Sequence, residues 1–141
     1  MRTGKVKFVT LDLPLERIHP HAFRSAEATH CADEQGKFWE MNERLFQNQR
    51  ALEPFAPHAE AIGLDVTAFE VCMSSNKYAE SIRKDMAEAQ KAGATGTPSF
   101  VLARTDPGDP STVKGITFLR GARSFEDFKI AIDRALSAAK P

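Results

Sequence analysis

The stretch Gly93-Ala94-Thr95-Gly96-Thr97-Pro98-Ser99-Phe100 divides the chain into two kinds of pattern. Ahead of it, Lys77 to Ala92 carries Ile82, Met86 and Ala89 at helical spacing, and Gly93 closes that helix. From Thr97 the character changes, and Thr97 to Leu102 reads as a strand that begins at a proline. Asp106 to Thr112 holds two prolines and a glycine and reads as a turn. Val113 to Leu119 is a second strand, so the two make a hairpin. After Gly121, Ser124 caps a final helix, with Asp127 at the third position as a weaker form of the capping box. Phe125, Phe128, Ile132 and Leu136 supply the apolar face of that helix.

Upstream the chain is mostly helical. Lys5 to Leu13 reads as a strand: Val6, Phe8, Leu11 and Leu13 alternate in a patchy way, and Pro14 ends the run. Ile18 to His21 is a loop entering a helix, and Pro20 suits its first turn. That helix runs from His21 to Asp33, with Ala22, Ala26 and His30 four apart and Phe23 and Cys31 on much the same face. Gly36 punctuates. Lys37 to Asn48 is a second helix with Phe38, Met41 and Leu45 on its apolar face; Trp39 and Phe46, to one side, read as core. Leu52 to Ile62 reads as a short helix with Gly63 as its C-cap. Asp65 caps the next helix, which buries Phe69, Cys72 and Met73 and breaks at Ser74 to Asn76. The order is strand, four or five helices, strand, turn, strand, helix. There is no internal repeat, low-complexity tract or dividing linker, so residues 1–141 read as one domain.

Composition narrows the partners. Of 141 residues, 42% are hydrophobic and 27% charged, ordinary for a globular protein. Nineteen basic and nineteen acidic side chains cancel without a basic stripe, which argues against nucleic acid. The apolar runs fall far short of the ~18 residues of a membrane span. Met1 to Lys7 is basic but lacks the apolar core of a signal peptide. Cys31 and Cys72 have neither metal-ligand nor Cys-x-x-Cys spacing. His19, His21, His30 and Cys31 could be grouped as metal ligands on paper, but no two histidines stand four apart on one helix; neither a metal nor another cofactor is expected. Ser25 and Ser99 have no visible base, so a serine nucleophile has no support.

The motifs taken together resemble the DsbA-like thiol-disulfide oxidoreductases. His19-Pro20-His21-Ala22 resembles the entry to the helical insertion of that family, and Ala26-Glu27-Ala28 ahead of Cys31 its first helix. Glu34-Gln35-Gly36-Lys37-Phe38-Trp39-Glu40 resembles the start of the second, continued by Leu45-Phe46 and Asn48-Gln49. Ile62-Gly63-Leu64-Asp65, with Phe69 and Cys72 after it, follows in order. Gly93 to Phe100 is the most specific match, and the likeness extends from about Gly4 to Leu136. It implies an α/β thioredoxin-like fold with a DsbA-type helical insertion at about residues 20–93. It also implies that the bond before Pro98 is cis and that the backbone of Thr97 lines a groove for an extended substrate peptide. The bland alternative is that Pro98 simply starts an edge strand.

The same resemblance exposes a departure. Family members begin with a strand and a Cys-x-x-Cys at the start of a long helix; here Thr3-Gly4-Lys5-Val6 aligns just after that helix. The chain is therefore expected to be truncated at its N-terminus and inactive alone. The family's missing strand lies between those matching Lys5–Leu13 and Ser99–Leu102. Its loss would expose sheet edges and favour homo-oligomers. Three readings of Cys31 and Cys72 stay open. A redox pair needs an exposed, low-pKa thiolate, whereas Cys31 lies near a helix C-terminus and both cysteines lie on apolar faces. A structural disulfide between two insertion helices, of a kind that occurs in relatives, is the second. Two buried thiols are the third. Functionally, an oxidoreductase acting on thiol-containing or extended polypeptides stands first, a non-catalytic binding or self-associating module second, and a glutathione-using isomerase third. The family's usual setting implies export to the bacterial periplasm.

Overall fold

The computed structural model describes residues 4–138. The chain forms two compact units, 1–92 and 93–141. Met1 to Thr3, at the start of the basic N-terminal run, lie outside the described residues.

Among its described residues the first unit holds five helices: α1 (Ala22–Asp33), α2 (Phe38–Gln47), α3 (Ala56–Ala61), α4 (Val66–Ser75) and α5 (Ala79–Lys91). Their core comprises Ala28, Cys31, Ala32, Met41, Leu45, Phe55, Ala59, Leu64, Phe69, Cys72 and Met73, with Leu52, Ile62 and Tyr78 packed against it. Helix α4 starts where its cap predicts: Asp65 Oδ1 accepts from the Ala68 amide at 3.0 Å. Gly63, at φ +74°, ends α3 in the left-handed conformation that side chains disfavour. Helix α3 is shorter than the span 52–62 suggests. Pro54 biases the residue before it away from helix, and Pro57, lacking an N–H, fits only the first turn.

Two expectations fail in this unit. The segment from Lys5 to Leu13 is not a strand. A strand exists only through a partner, and among the described residues the Asp12 amide, donating to Asp85 Oδ2 at 3.2 Å, is the one bonded backbone group of 5–13. Trp39 and Phe46 are not core either: they are 52% and 67% exposed. Helix α2 buries one stripe, Met41 and Leu45, and at 100° per residue Trp39 and Phe46 point away from it.

The second unit is a hairpin followed by a helix: β1 (Ser99–Thr105), β2 (Val113–Arg120) and α6 (Phe125–Ser137). The strands pair antiparallel from Ser99↔Arg120 to Thr105↔Val113. Leu102 faces Thr117 and Ala103 faces Gly115, so Ile116 is the extra residue of a bulge. The turn is held by Asp106 and Asp109. Asp106 Oδ1 accepts from Gly108 N at 2.7 Å, and Asp109 takes the hydroxyls of Ser111 and Thr112 at 2.6 and 2.7 Å. Those bonds keep the Asp109 carboxyl below its ordinary pKa. Ser124 and Asp127 complete a reciprocal capping box. Phe128 packs edge-on against Phe100, with ring centres 4.7 Å apart. Phe125, expected on the same apolar face, is instead 83% exposed. It lies in the first helical turn, 300° around from Phe128 and one turn short of the Phe100 contact.

Candidate functional site

The peptide bond between Thr97 and Pro98 is cis. Both residues are exposed and stand immediately before β1. The loop is anchored on either side of them. The Gly121 amide donates to the Pro98 carbonyl at 2.8 Å, the Ser99 hydroxyl to the Gly96 carbonyl at 2.6 Å, and Arg120 Nη2 to the Gly93 carbonyl at 3.4 Å. The N–H and C=O of Thr97 make no hydrogen bond among the described residues. A fixed, exposed loop with a free donor and acceptor is suited to pairing with an extended chain.

Cys31 and Cys72, in the first unit, form a disulfide. The bridge joins α1 to α4, and its residues are 2% and 4% exposed. Neither sulfur is available as a thiolate at the surface, the form that exchange chemistry requires. Beside it lies a polar cluster that sequence reading missed. Glu34, the C-cap of α1, brings Oε1 to 3.3 Å from Cys72 Sγ. A disulfide sulfur has no proton to donate, so this is a contact and not a hydrogen bond. The same Oε1 lies 2.6 Å from Lys77 Nζ and accepts from the Tyr78 hydroxyl at 2.8 Å. Lys77 and then Tyr78 hold the Glu34 carboxyl below its ordinary pKa. Burial, reinforced by Glu34, pushes the Tyr78 hydroxyl up to about 12.

A second pair binds the N-terminal segment. His30 Nε2 lies 2.6 Å from Asp12 Oδ2, and the ring stacks on Tyr78 at 5.0 Å. The hydrogen bond to Asp12, opposed by burial and helped by the charges of Asp12, Asp85 and Asp33, raises the His30 pKa. The histidines are dispersed in different contacts: His21 Nδ1 pairs with Glu53 at 3.0 Å and His58 Nε2 with the Ala51 carbonyl at 2.8 Å. Among the described residues no three His, Cys, Asp or Glu side chains group as a metal site. Nor is any described helix long and apolar enough to cross a membrane.

The comparisons place the chain in a class. A family model described as Thioredoxin matches residues 1–119, and the chain belongs to that family. Its mixed α/β architecture is thioredoxin-like. Among named relatives, the Na(+)/H(+) antiporter NhaA 3 of Salinispora tropica is 37% identical over 99 residues, which is 69% of this chain and 15% of that protein. The Na(+)/H(+) antiporter NhaA 1 of Mycobacterium sp. (strain KMS) is 38% identical over 67% of this chain and 16% of its own length. The Na(+)/H(+) antiporter NhaA of Herminiimonas arsenicoxydans is 35% identical over 69% and 16%. The chain thus spans about 15% of the length of these relatives. No solved structure matches it significantly.

Proposed function

We propose that these residues form the peptide-facing portion of a DsbA-type thiol-disulfide oxidoreductase module, and that the chain by itself does not turn over disulfides. The observation that carries the reading is the anchored, exposed Thr97-Pro98 loop, whose Thr97 backbone makes no hydrogen bond among the described residues. Thiol-disulfide exchange needs an accessible thiolate. The two cysteines of this chain are joined and buried, so the reacting dithiol of the module is a Cys-x-x-Cys outside these residues. Thr97 would hold an extended substrate through its backbone while that dithiol exchanges with a substrate cysteine.

The likeness to proteins named Na(+)/H(+) antiporter favours a second, compatible reading: the module works as part of, or beside, a membrane transporter. Intact mass and peptide mapping of the native, unreduced protein test both. A species longer than 15.6 kDa that contains a Cys-x-x-Cys is expected under the first, and transporter peptides in the same chain under the second. Catalytic reduction of insulin by the 141-residue chain, abolished by Cys31→Ala, would overturn the first.

A further inference from the structure

The Glu34 cluster lies against the disulfide, in a different unit from the Thr97-Pro98 loop, and has no part in the function proposed above. Four side chains meet there. Glu34 sits three residues past Cys31 on the α1 side; Lys77 and Tyr78 follow Cys72 by five and six residues on the α4 side. The salt bridge and the phenol hydrogen bond tie the end of α1 to the connection between α4 and α5, beside the two helices that the disulfide joins, and they fix the Glu34 carboxylate at Cys72 Sγ. The geometry points to Glu34 as an electrostatic shield that slows attack by thiols on the Cys31–Cys72 bridge.

Reduction by an external thiolate begins with its sulfur forming a bond to one cysteine as the Cys31–Cys72 bond breaks. The displaced cysteine leaves with the electron pair as a thiolate. A second equivalent of thiol resolves the mixed disulfide, giving two protein thiols and one small-molecule disulfide. Attack at Cys31 expels Cys72 as a thiolate against the Glu34 carboxylate, 3.3 Å away, and two like charges meet. Attack at Cys72 brings the incoming negative sulfur to the atom that Glu34 covers. Both routes oppose the same charge. Lys77, bonded to the same Glu34 oxygen that meets Cys72, offsets part of it.

Glu34→Gln keeps the size and the acceptor oxygen while removing the charge. The test compares reduction of the folded protein and of E34Q by two monothiols, anionic 2-mercaptoethanesulfonate and cationic cysteamine, at low salt, each rate corrected to its own thiolate concentration. E34Q is expected to react about fivefold faster with the anionic thiol and to change much less with the cationic one. The magnitude is that of removing one like charge from the path of the anionic reagent at low salt, whereas the cationic reagent loses an attraction that offsets the easier departure of Cys72. An unchanged ratio between the two thiols would overturn the shield, because a variant that merely loosens the helices speeds both reagents alike. Rates independent of thiol concentration and equal in both proteins would overturn it too, since the bridge would then be reached only through unfolding.

Discussion

His30 shows what a single residue does here. Its ring is one of the contacts between the N-terminal segment and the helices, through Asp12 at 2.6 Å, and it stacks on Tyr78. The folded-state pKa is raised, so the protonated ring stabilises the fold. That contribution is complete below the unfolded value of 6.5 and is lost as the pH rises through the higher folded value. Asp12→Asn removes the partner. Urea titrations should therefore show a gap of about 1 kcal/mol between the wild type and D12N near pH 5.5, closing by about pH 9. A gap that stays constant with pH would mean the pair acts through packing alone. Glu34 was equally hidden from sequence reading, because its partners Lys77 and Tyr78 lie 43 and 44 residues away and no local pattern couples them.

Among the elements, the segment 5–13 is the most consequential. Its composition suits a strand, yet a strand is defined by hydrogen bonds to a neighbour, and among the described residues only the Asp12 amide of this segment has a partner. Phe8, Val9 and Leu11 are 48%, 64% and 59% exposed beside backbone groups that face no other described group. Unpaired backbone beside exposed apolar side chains favours pairing with another chain, which is the prediction here. Light scattering is expected to return a mass above 15.6 kDa that rises with concentration, and Val9→Pro, which deletes a central N–H, should reduce it. A constant mass of 15.6 kDa across concentrations would rule that pairing out. The hairpin β1–β2 needs no such help, because its turn, with Asp106 and Asp109 as local acceptors, brings both partners together within one stretch of chain.

For the whole molecule, the disulfide is the principal constraint on the helical unit. It closes a sequence separation of 41 residues. Loop-closure entropy for that length puts its contribution at about 4 kcal/mol, acting mainly on the unfolded chain. The double variant Cys31→Ala, Cys72→Ala should lose about that much in urea unfolding. A loss under about 1 kcal/mol would show that the unfolded chain is already held compact. The bridge also takes up both cysteines of this chain in the core, so neither stands at the surface as a thiolate.

By itself the sequence determined the elements whose signals are local. Asp65 and Ser124 cap their helices where predicted, the apolar spacing of Met41 with Leu45 and the run through Ile82 mark buried faces, and the turn at 106–112 joins two strands. The motif from Gly93 to Phe100 also pointed to a thioredoxin-like fold, and the chain belongs to the thioredoxin family. Only the tertiary structure decided that Cys31 and Cys72 pair, that Glu34 stands over Cys72, that Asp12 meets His30, and that Trp39, Phe46 and Phe125 face outward. The physical reason is separation along the chain. Caps, periodicity and turns act within a few residues, whereas these contacts join residues 18 to 44 apart or depend on which neighbour covers a helix face.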